Sequence, residues 1–443
     1  MKKIIAGAAV ILVAAVVFAP FVNGLVMERI IRQAQDDLNT MYAETGSGIS
    51  VEIMDYQRSF ASSEIEWRIG LGHLAAIYGI EQILLVDRVE HRFTGVVSRT
   101  SLERNRWFTD FVNSRLDGND PLHITTMYRL TGPITSVVEV DAFSLETGEE
   151  RMEVRPAKLV AEFDEGFTHL KNRAVWEGLS VGEKAGIHGV SIVSELEKIS
   201  TYIWEGDIEY SIDSGRINDS GASFSLAGVK GGYGLDFNGE RESLSIGGEL
   251  GFQNLTGPDG NFMEDAFLRL DVNNLDAEGY EEFMELYTTT VQDVLGDFQA
   301  TGEEPEKMER AVKERMAHAS LRMIAAYEKF LKEGLEIRVA DLHAAIPEGE
   351  IKGHGEIRLK RDVTFAQFAA IAARPDLAFE ILDLETSLTF PGELAGGDSL
   401  KLTSPLSGGM QTGLFILDGK NLAHRAETRD GKLFLNGLEV VFH

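Results

Sequence analysis

The spacing of hydrophobic residues changes twice before residue 70. Ile4 to Val22 is a run of nineteen residues without a charge, behind Met1-Lys2-Lys3. As a helix it would rise about 28 Å, against a hydrocarbon core of roughly 30 Å. It is longer than the apolar region of about 7–15 residues in a secretory signal, and Ala19, the best small-residue cleavage position, is followed by Pro20. The pattern predicts a retained transmembrane anchor over 1–26, with Lys2 and Lys3 on the cytoplasmic side. Met27, Ile31, Ala34, Leu38 and Met41 then recur at steps of four and three, an amphipathic stalk helix over 27–45. The seam lasts about two heptads, too short for a sustained coiled coil, so it is read as resting on its own domain in preference to dimerising.

From Ile49 the period becomes two. Ile49, Val51 and Ile53 share one face, as do Ile65, Trp67, Ile69 and Leu71. Further strands are predicted at Ile83–Phe93, Leu122–Leu130, Ile134–Leu145, Met152–Phe163, Ala174–Val181, Ile208–Ile212 and Phe267–Val272, with a helical interruption over Ser101–Leu116. Short Gly, Asn and Asp clusters separate many of them, which favours antiparallel hairpins. Glycine is dense between Ser223 and Leu255, the mark of a twisted or bulged sheet; no phosphate-binding glycine pattern is present there. A helix capped by Asn274 or Asp276 carries Tyr280, Phe283, Met284 and Tyr287 on one face, and a second presents Met308 to Leu331. Residues 270–306 hold eleven acids and no Lys or Arg, whereas 307–332 hold seven basic residues against three acids. Opposite charge makes an antiparallel helix hairpin, with Glu306–Arg310, Glu309–Lys313 and Glu328–Lys332 as pairs within the second helix. A divalent cation or a basic partner on the acidic helix is the sharper alternative. Strands resume at Leu335–Ile346, Glu350–Leu359 and Leu377–Phe390 around a helix at Thr364–Ala372, so that strand-strand-helix occurs twice. Arg425–Phe442 reads as a terminal hairpin turning at Asn436-Gly437.

The fold class is therefore α+β and β-rich: an N-terminal transmembrane helix followed by an extended or curved antiparallel β assembly with an inserted helix hairpin. The expected segments are the anchor (1–26), the stalk (27–45), a β-rich domain (46–275), the hairpin (276–334) and a C-terminal ββα-like region (335–443). The anchor implies a single-pass inner-membrane protein with its C-terminal portion in the periplasm, if the cell is Gram-negative.

Charge narrows the partners. A net charge of −29 repels nucleic-acid phosphates, so no nucleic-acid partner is expected. Without cysteine there is no thiolate metal site or thiol nucleophile. The ten histidines include no zinc-protease helical pair, and His343 and His354, flanking a strand turn, read as packing or surface residues. Asp271-Val-Asn273-Asn-Leu-Asp276 hints at a calcium loop, but Leu275 stands at position five and no glycine at six, so a helix cap explains it better. No cofactor and no metal is assigned. Gly178-Leu-Ser180-Val-Gly182 fits the string of a hydrolase nucleophile elbow, which demands a helix directly after the serine. Gly186 and Gly189 follow instead, so a strand ending in a turn is preferred, and a periplasmic hydrolase using Ser180 remains an alternative without an assigned triad.

The corner Tyr56-Gln-Arg58-Ser-Phe60-Ala-Ser62-Ser63 joins the first two strands. With the anchor and stalk before it, it resembles the start of the YdgA-like bacterial proteins, the DUF945 family, and Asp430-Gly-Lys-Leu-Phe-Leu-Asn-Gly437 is similar to that family's closing hairpin. Ser59-Phe60-Ala61 stands where the family usually has Gly-Trp-Phe. The resemblance implies a membrane-anchored envelope protein with a β-rich outer portion and implies no reaction. From the residues themselves, Arg58 can stack on Phe60 or Tyr56 while Ser62 and Ser63 bond turn backbone. Tyr56, Arg58, Phe60 and Trp67 are the binding candidates; the catalytic set is empty. The function expected is a non-catalytic envelope binding or scaffold protein, a lipid-handling β groove being an alternative, with an envelope lipid, another envelope protein or a second copy as partner. The sheet is expected to be a closed core rather than an open trough.

Overall fold

A computed structural model describes the chain apart from residues 1, 45, 73, 76–79, 104–105, 130–131, 148–149, 220, 259, 302–325, 396–408, 411 and 442–443; in the first helix the side chains are described from residue 19, and in the helix after β15 they are described up to residue 290. The chain divides into two compact units. One comprises Met1–Gly182, Ser191–Trp204 and Tyr287–Ala317, the other Glu183–Val190, Glu205–Leu286 and His318–His443.

The first unit begins with helix α1 (Lys2–Glu44). Among the described residues no helix is long and apolar enough to cross a membrane. The anchor expectation rests chiefly on side chains 4–18, which lie outside them. The period-two pattern then becomes strands β1 (Ser50–Arg58), β2 (Ser62–Gly70), β3 (Gln82–Arg92), β4 (Gly95–Leu102), β5 (Leu122–Arg129) and β6 (Ile134–Val140), each paired antiparallel with the next. Helix α2 (Arg106–Arg115) occupies the predicted interruption. Two predicted strands are each broken: β6 is followed by β7 (Phe143–Thr147), and β8 (Glu150–Val154) by β9 (Ala157–Phe163). Pro156 has no amide to donate to a ladder. Strand β10 (His169–Val181) bridges the second break, pairing with β9 along Leu170–Trp176 and with β8 along Leu179–Val181.

β1 pairs with β2 on one side only among the described residues, and α1 covers its free edge. Asn39 gives Nδ2 to the Val51 carbonyl and takes the Val51 amide on Oδ1, both at 2.8 Å, as a neighbouring strand would. Gln35 Oε1 accepts from the Ile53 amide at 3.3 Å. Unpaired edge groups invite further strands, so this is a protective device as well as an attachment. Met27 and Ile31 of the predicted seam are buried with Ile65, Val89 and Val96, and the seam thus rests on the chain's own sheet.

In the second unit the glycine-dense region forms long strands. β12 (Trp204–Asp219), β13 (Ala222–Asn238), β14 (Ser243–Gly257), β15 (Gly260–Asp276), β16 (Glu336–Ile346), β17 (Gly349–Leu359), β18 (Leu382–Pro391) and β20 (Asn421–Arg429) pair antiparallel in that order; β11 (Ala185–Lys198), of which only residues 185–190 belong to this unit, precedes them in the chain and β19 (Ile416–Asp418) flanks β20. The strand-strand-helix order recurs as β14–β15–α3 (Ala277–Thr301) and β16–β17–α4 (Phe365–Ala373). Asp276 Oδ1 accepts from the Gly279 amide and caps α3, and Thr364 forms a capping box with Gln367.

Three expectations are corrected here. The strand expected from Leu377 starts at Leu382, because a helical turn α5 (Ala378–Ile381) precedes it. The terminal hairpin has three strands: Asp430-Gly431, both at positive φ, turns β20 into β21 (Lys432–Leu435), and Asn436-Gly437 then turns into the short β22 (Leu438–Glu439). Glu328–Lys332 is not an ion pair. Residues 326–330 are helical and Lys332 lies beyond them, 3.6 Å from Asp362, while Glu328 accepts from the Phe365 amide at the start of α4. The pairs Glu306–Arg310 and Glu309–Lys313, with most of the second hairpin helix, lie outside the described residues. Between the start of α3 and residues 326–330 the charge attraction is present: Lys329 reaches Glu278 at 2.9 Å and Glu282 at 2.6 Å.

Asp271, from the string that hinted at calcium, is instead a buried carboxylate held by Arg338 at 2.7 Å and Arg269 at 3.1 Å. Burial alone would raise its pKa; the arginine hydrogen bonds outweigh it and hold the carboxyl below the usual range. A depressed folded pKa stabilises above the unfolded value of about 3.9, and that contribution is lost as pH falls through the folded value. Asp271→Asn should cost about 1–2 kcal/mol at pH 7, discounted because both arginines are half exposed. Its deficit should shrink as pH falls below the unfolded value of about 3.9 and through the lower folded value, read from urea unfolding midpoints across pH.

Candidate functional site

The corner residues meet α1. From register, α1 runs antiparallel to β1: Asn39 lies at Val51, Gln35 at Ile53, Arg32 at Tyr56 and Glu28 at Arg58. The guanidinium of Arg32 sits 5.6 Å from the Tyr56 ring centroid, and Arg58 lies 5.5 Å from the Phe21 ring and 3.7 Å from Glu28. Phe21 stacks on Phe60 with centroids 5.9 Å apart. The expected partner of Arg58, an aromatic ring of the corner itself, is thus replaced by one from the helix. The turn closes through the Ser59 amide on the Ser62 carbonyl, 2.7 Å. Trp67 packs against the same buried cluster as Tyr56, one step along the hairpin.

His91 was not singled out by the sequence, yet it locks the helix in place. Its amide bonds the Ala61 carbonyl of the corner (2.9 Å), its Nε2 meets Ser63 Oγ (2.9 Å), and its ring faces Gly24 of α1 so closely that a Cβ there would lie 2.2 Å from Cε1. Beside it Asn23 Nδ2 donates to the carbonyls of Arg92 and Phe93. Burial lowers the His91 pKa and keeps the ring neutral. Asn-Gly inside a helical pattern is the signal that this stretch of α1 is approached closely. Below Trp67, Asp87 is 8% exposed and takes the indole N–H on Oδ2 at 2.9 Å, while Oδ1 has no hydrogen bond; burial raises its pKa. Burial likewise pushes the Tyr128 hydroxyl up.

This constellation positions a helix; its hydroxyl–imidazole pair, Ser63 Oγ with His91 Nε2, is buried against Gly24 of α1. Ser180 lies in β10 opposite Glu153, and strand β11 follows the turn at Gly182, so the helix that a nucleophile elbow requires is missing. His343 stacks on Phe267 at 5.6 Å and meets Asp341 at 3.1 Å. Among the described residues no group of three or more His, Asp or Glu side chains could hold a metal ion.

A second surface was not identified from sequence. In the second unit, Tyr210, Gly231, Leu250 and Leu268 stand directly opposite one another across four strands. Two residues along lie Tyr233, Gly248, Leu270 and Val339, and beyond these Val272, Ile337 and Ile357. Alternation puts all of these on one face. The other face carries Glu209, Glu249, Arg269, Asp271, Arg338, Glu356 and Glu385. Tyr210, Tyr233, Leu250, Leu268, Leu270, Ile337 and Ile357 remain between 37 and 46% exposed. Seven such side chains leave on the order of 500 Å² of apolar surface, at the upper end of what a monomer exposes as one patch. Gly231 keeps the face low, since a Cβ there would fall 2.3 Å from the Tyr210 ring. Among the described residues, the closed core expected for the sheet is found at Val229 and Leu235 of β13 and toward the strand ends. There Leu244 and Leu275 are buried near the start of α3, and Ile346 packs with Leu394, Ile351, Phe390 and Phe415. A cleft of about 610 Å³ lined by Phe224, Leu255, Phe262, Ile346 and Pro347 opens at the β14–β15 and β16–β17 turns.

The match of residues 1–442 to the family described as bacterial protein of unknown function (DUF945) shows that the chain belongs to that family. No curated protein and no solved structure matches it.

Two variants test the helix lock. Gly24→Ala should force His91 aside and cost about 1–3 kcal/mol, seen as faster amide exchange across residues 23–32. Asp87 has a raised folded pKa, so its stabilising share is present below the unfolded value of about 3.9 and is lost as pH rises through the folded value. Asp87→Asn should therefore gain on the native chain between pH 4 and pH 7.5 in unfolding midpoints, and a constant difference across that range would contradict the assignment.

Proposed function

We propose that this protein is a non-catalytic, membrane-anchored envelope protein whose second unit binds lipid acyl chains on the open apolar face of β12–β17. The observation that carries the reading is the row of half-exposed Tyr210, Leu250, Leu268, Leu270, Ile337 and Ile357 on one face of a sheet whose other face is charged. An uncovered apolar face of this size gains by excluding water, at about 25 cal/mol per Å² buried, and a flexible hydrocarbon chain fits a pleated surface without needing a fixed partner shape. Each of two cross-strand rows sets one ring beside one glycine, Tyr210 by Gly231 and Tyr233 by Gly248, so the floor is uneven, as a binding surface with a few larger contacts would be. The net charge of −29 favours a neutral or zwitterionic lipid over an anionic one.

The uncharged run Ile4–Val22 behind Lys2-Lys3 supports an inner-membrane anchor with the remainder in the periplasm. The earlier binding set, Tyr56, Arg58, Phe60 and Trp67, has in this reading the task of holding α1. A second reading, in which another envelope protein lays an apolar surface on the same face, rests on the same exposure.

Titration of the full chain with a fluorescent acyl probe tests the lipid reading. Leu250→Glu combined with Leu268→Glu, both on exposed positions, should weaken binding at least tenfold, while Glu249→Gln on the charged face should leave it unchanged. Equal binding by all three, or none by the native chain, would contradict it.

A further inference from the structure

We infer that the corner of the first unit is a membrane seat: the tips carrying Phe60 and Phe93, with the outer side of α1 at Phe21, Val22, Leu25 and Val26, enter the surface of a phospholipid bilayer. The inference rests on the membrane-anchored reading above and goes beyond it, since a stalk could equally hold the domain clear of the lipid.

The helix itself marks the level. Asn23, Gly24, Met27 and Ile31 face the sheet and are buried. On the opposite side a helix lying in water should carry polar residues. From Glu28 onward it does: Glu28, Arg29, Arg32, Gln33 and Asp36. Before Glu28 it does not, for Phe21, Val22, Leu25 and Val26 are all 37–49% exposed. A helix whose outer side is apolar at this level is matched to an apolar surrounding, and the same helix continues toward the uncharged run that begins at Ile4. The change from apolar to charged outer side falls at Val26–Glu28.

The sheet brings two more apolar groups to that level. The β1–β2 turn presents Phe60, half exposed and stacked on Phe21, and the β3–β4 turn presents Phe93, 54% exposed, next to the carbonyl that holds Asn23. Both belong to short turns, where a polar residue would ordinarily meet water. Phe21 lies seven residues before Glu28, so the tips stand about 10 Å of helix rise beyond the first charged turn. That is the depth at which aromatic rings and apolar side chains settle between headgroups and acyl chains. Arg58, over the Phe21 ring and paired with Glu28, has an aliphatic stem able to lie along the apolar collar with its charged end toward the headgroups. The His91–Gly24 contact and the two Asn23 hydrogen bonds fix the tips against the helix, so that insertion of one commits the others.

The chain contains no cysteine, so single cysteines report cleanly. The full chain is reconstituted in zwitterionic phosphatidylcholine vesicles with a nitroxide label at Phe60→Cys, at Phe93→Cys, at Gln82→Cys, which lies at the far end of β3 about 35 Å away, and at Ala14→Cys in the leader. Oxygen and aqueous nickel chelate then compete to relax each label. The expected result is a label at 14 deep in the bilayer, labels at 60 and 93 shielded from the chelate at least fivefold more than the label at 82, and 82 in water. A lipid-buried 14 with 60 and 93 as wet as 82 overturns the seat and leaves the anchor intact. A wet 14 overturns the anchor and the seat together. Dipolar broadening between labels at 60, with no gain in oxygen contact, assigns the collar to a second copy of the chain and also overturns the seat.

Discussion

A β-sheet with one apolar face must cover that face, and how the two units meet this constraint determines what each can do. Period-two alternation sorts side chains onto opposite faces without regard to whether a covering layer exists. In the first unit α1 supplies the layer over the opening strands: Met27 and Ile31 close over Ile65, Val89 and Val96. In the second unit burial is achieved at Val229 and Leu235 of β13 and toward the strand ends, around Leu244 and around Ile346, and among the described residues the rows through Leu250, Leu268 and Ile337 stay half exposed. The same physics that makes the first arrangement stable makes the second a surface that gains free energy from a hydrophobic occupant.

The polar groups follow from the same requirement. Asn39 and Gln35 satisfy an edge strand from a helix, which turns apolar contact into a fixed orientation. Asn23, Gly24 and His91 then set where along the sheet the helix leaves it. On the charged face of the second unit, Asp271 between Arg269 and Arg338 ties neighbouring strands together without an apolar layer on that side. Specific polar contacts hold registers and angles, while apolar area supplies the driving force.

Much of this was legible in the sequence because periodicity is a local property. The seam Met27–Ile31, the first hairpin about its aromatic corner and the Asp276 cap are each read from one short stretch, and the strand-strand-helix recurrence from a succession of such stretches. The breaks at Arg155-Pro156 and Leu377–Ile381 depend on a missing amide and a helical turn that average hydrophobicity does not register. His91 was invisible because its partners, Gly24, Ala61 and Ser63, are distant in sequence. The open face is not distinguishable in the sequence, since the alternation that holds Tyr210, Leu250, Leu268 and Ile337 describes a covered sheet as well as an open one. Only cross-strand register and exposure separate the two.

The central claim, that the apolar face of β12–β17 holds hydrocarbon, is met most directly by photocrosslinking in native membranes. A benzophenone side chain is placed at Leu268 on the apolar face or at Glu249 on the charged one, and the adducts are identified by mass. The account predicts lipid-mass adducts from 268 and none from 249. Adducts only to polypeptide, or lipid captured equally from both faces, would contradict it.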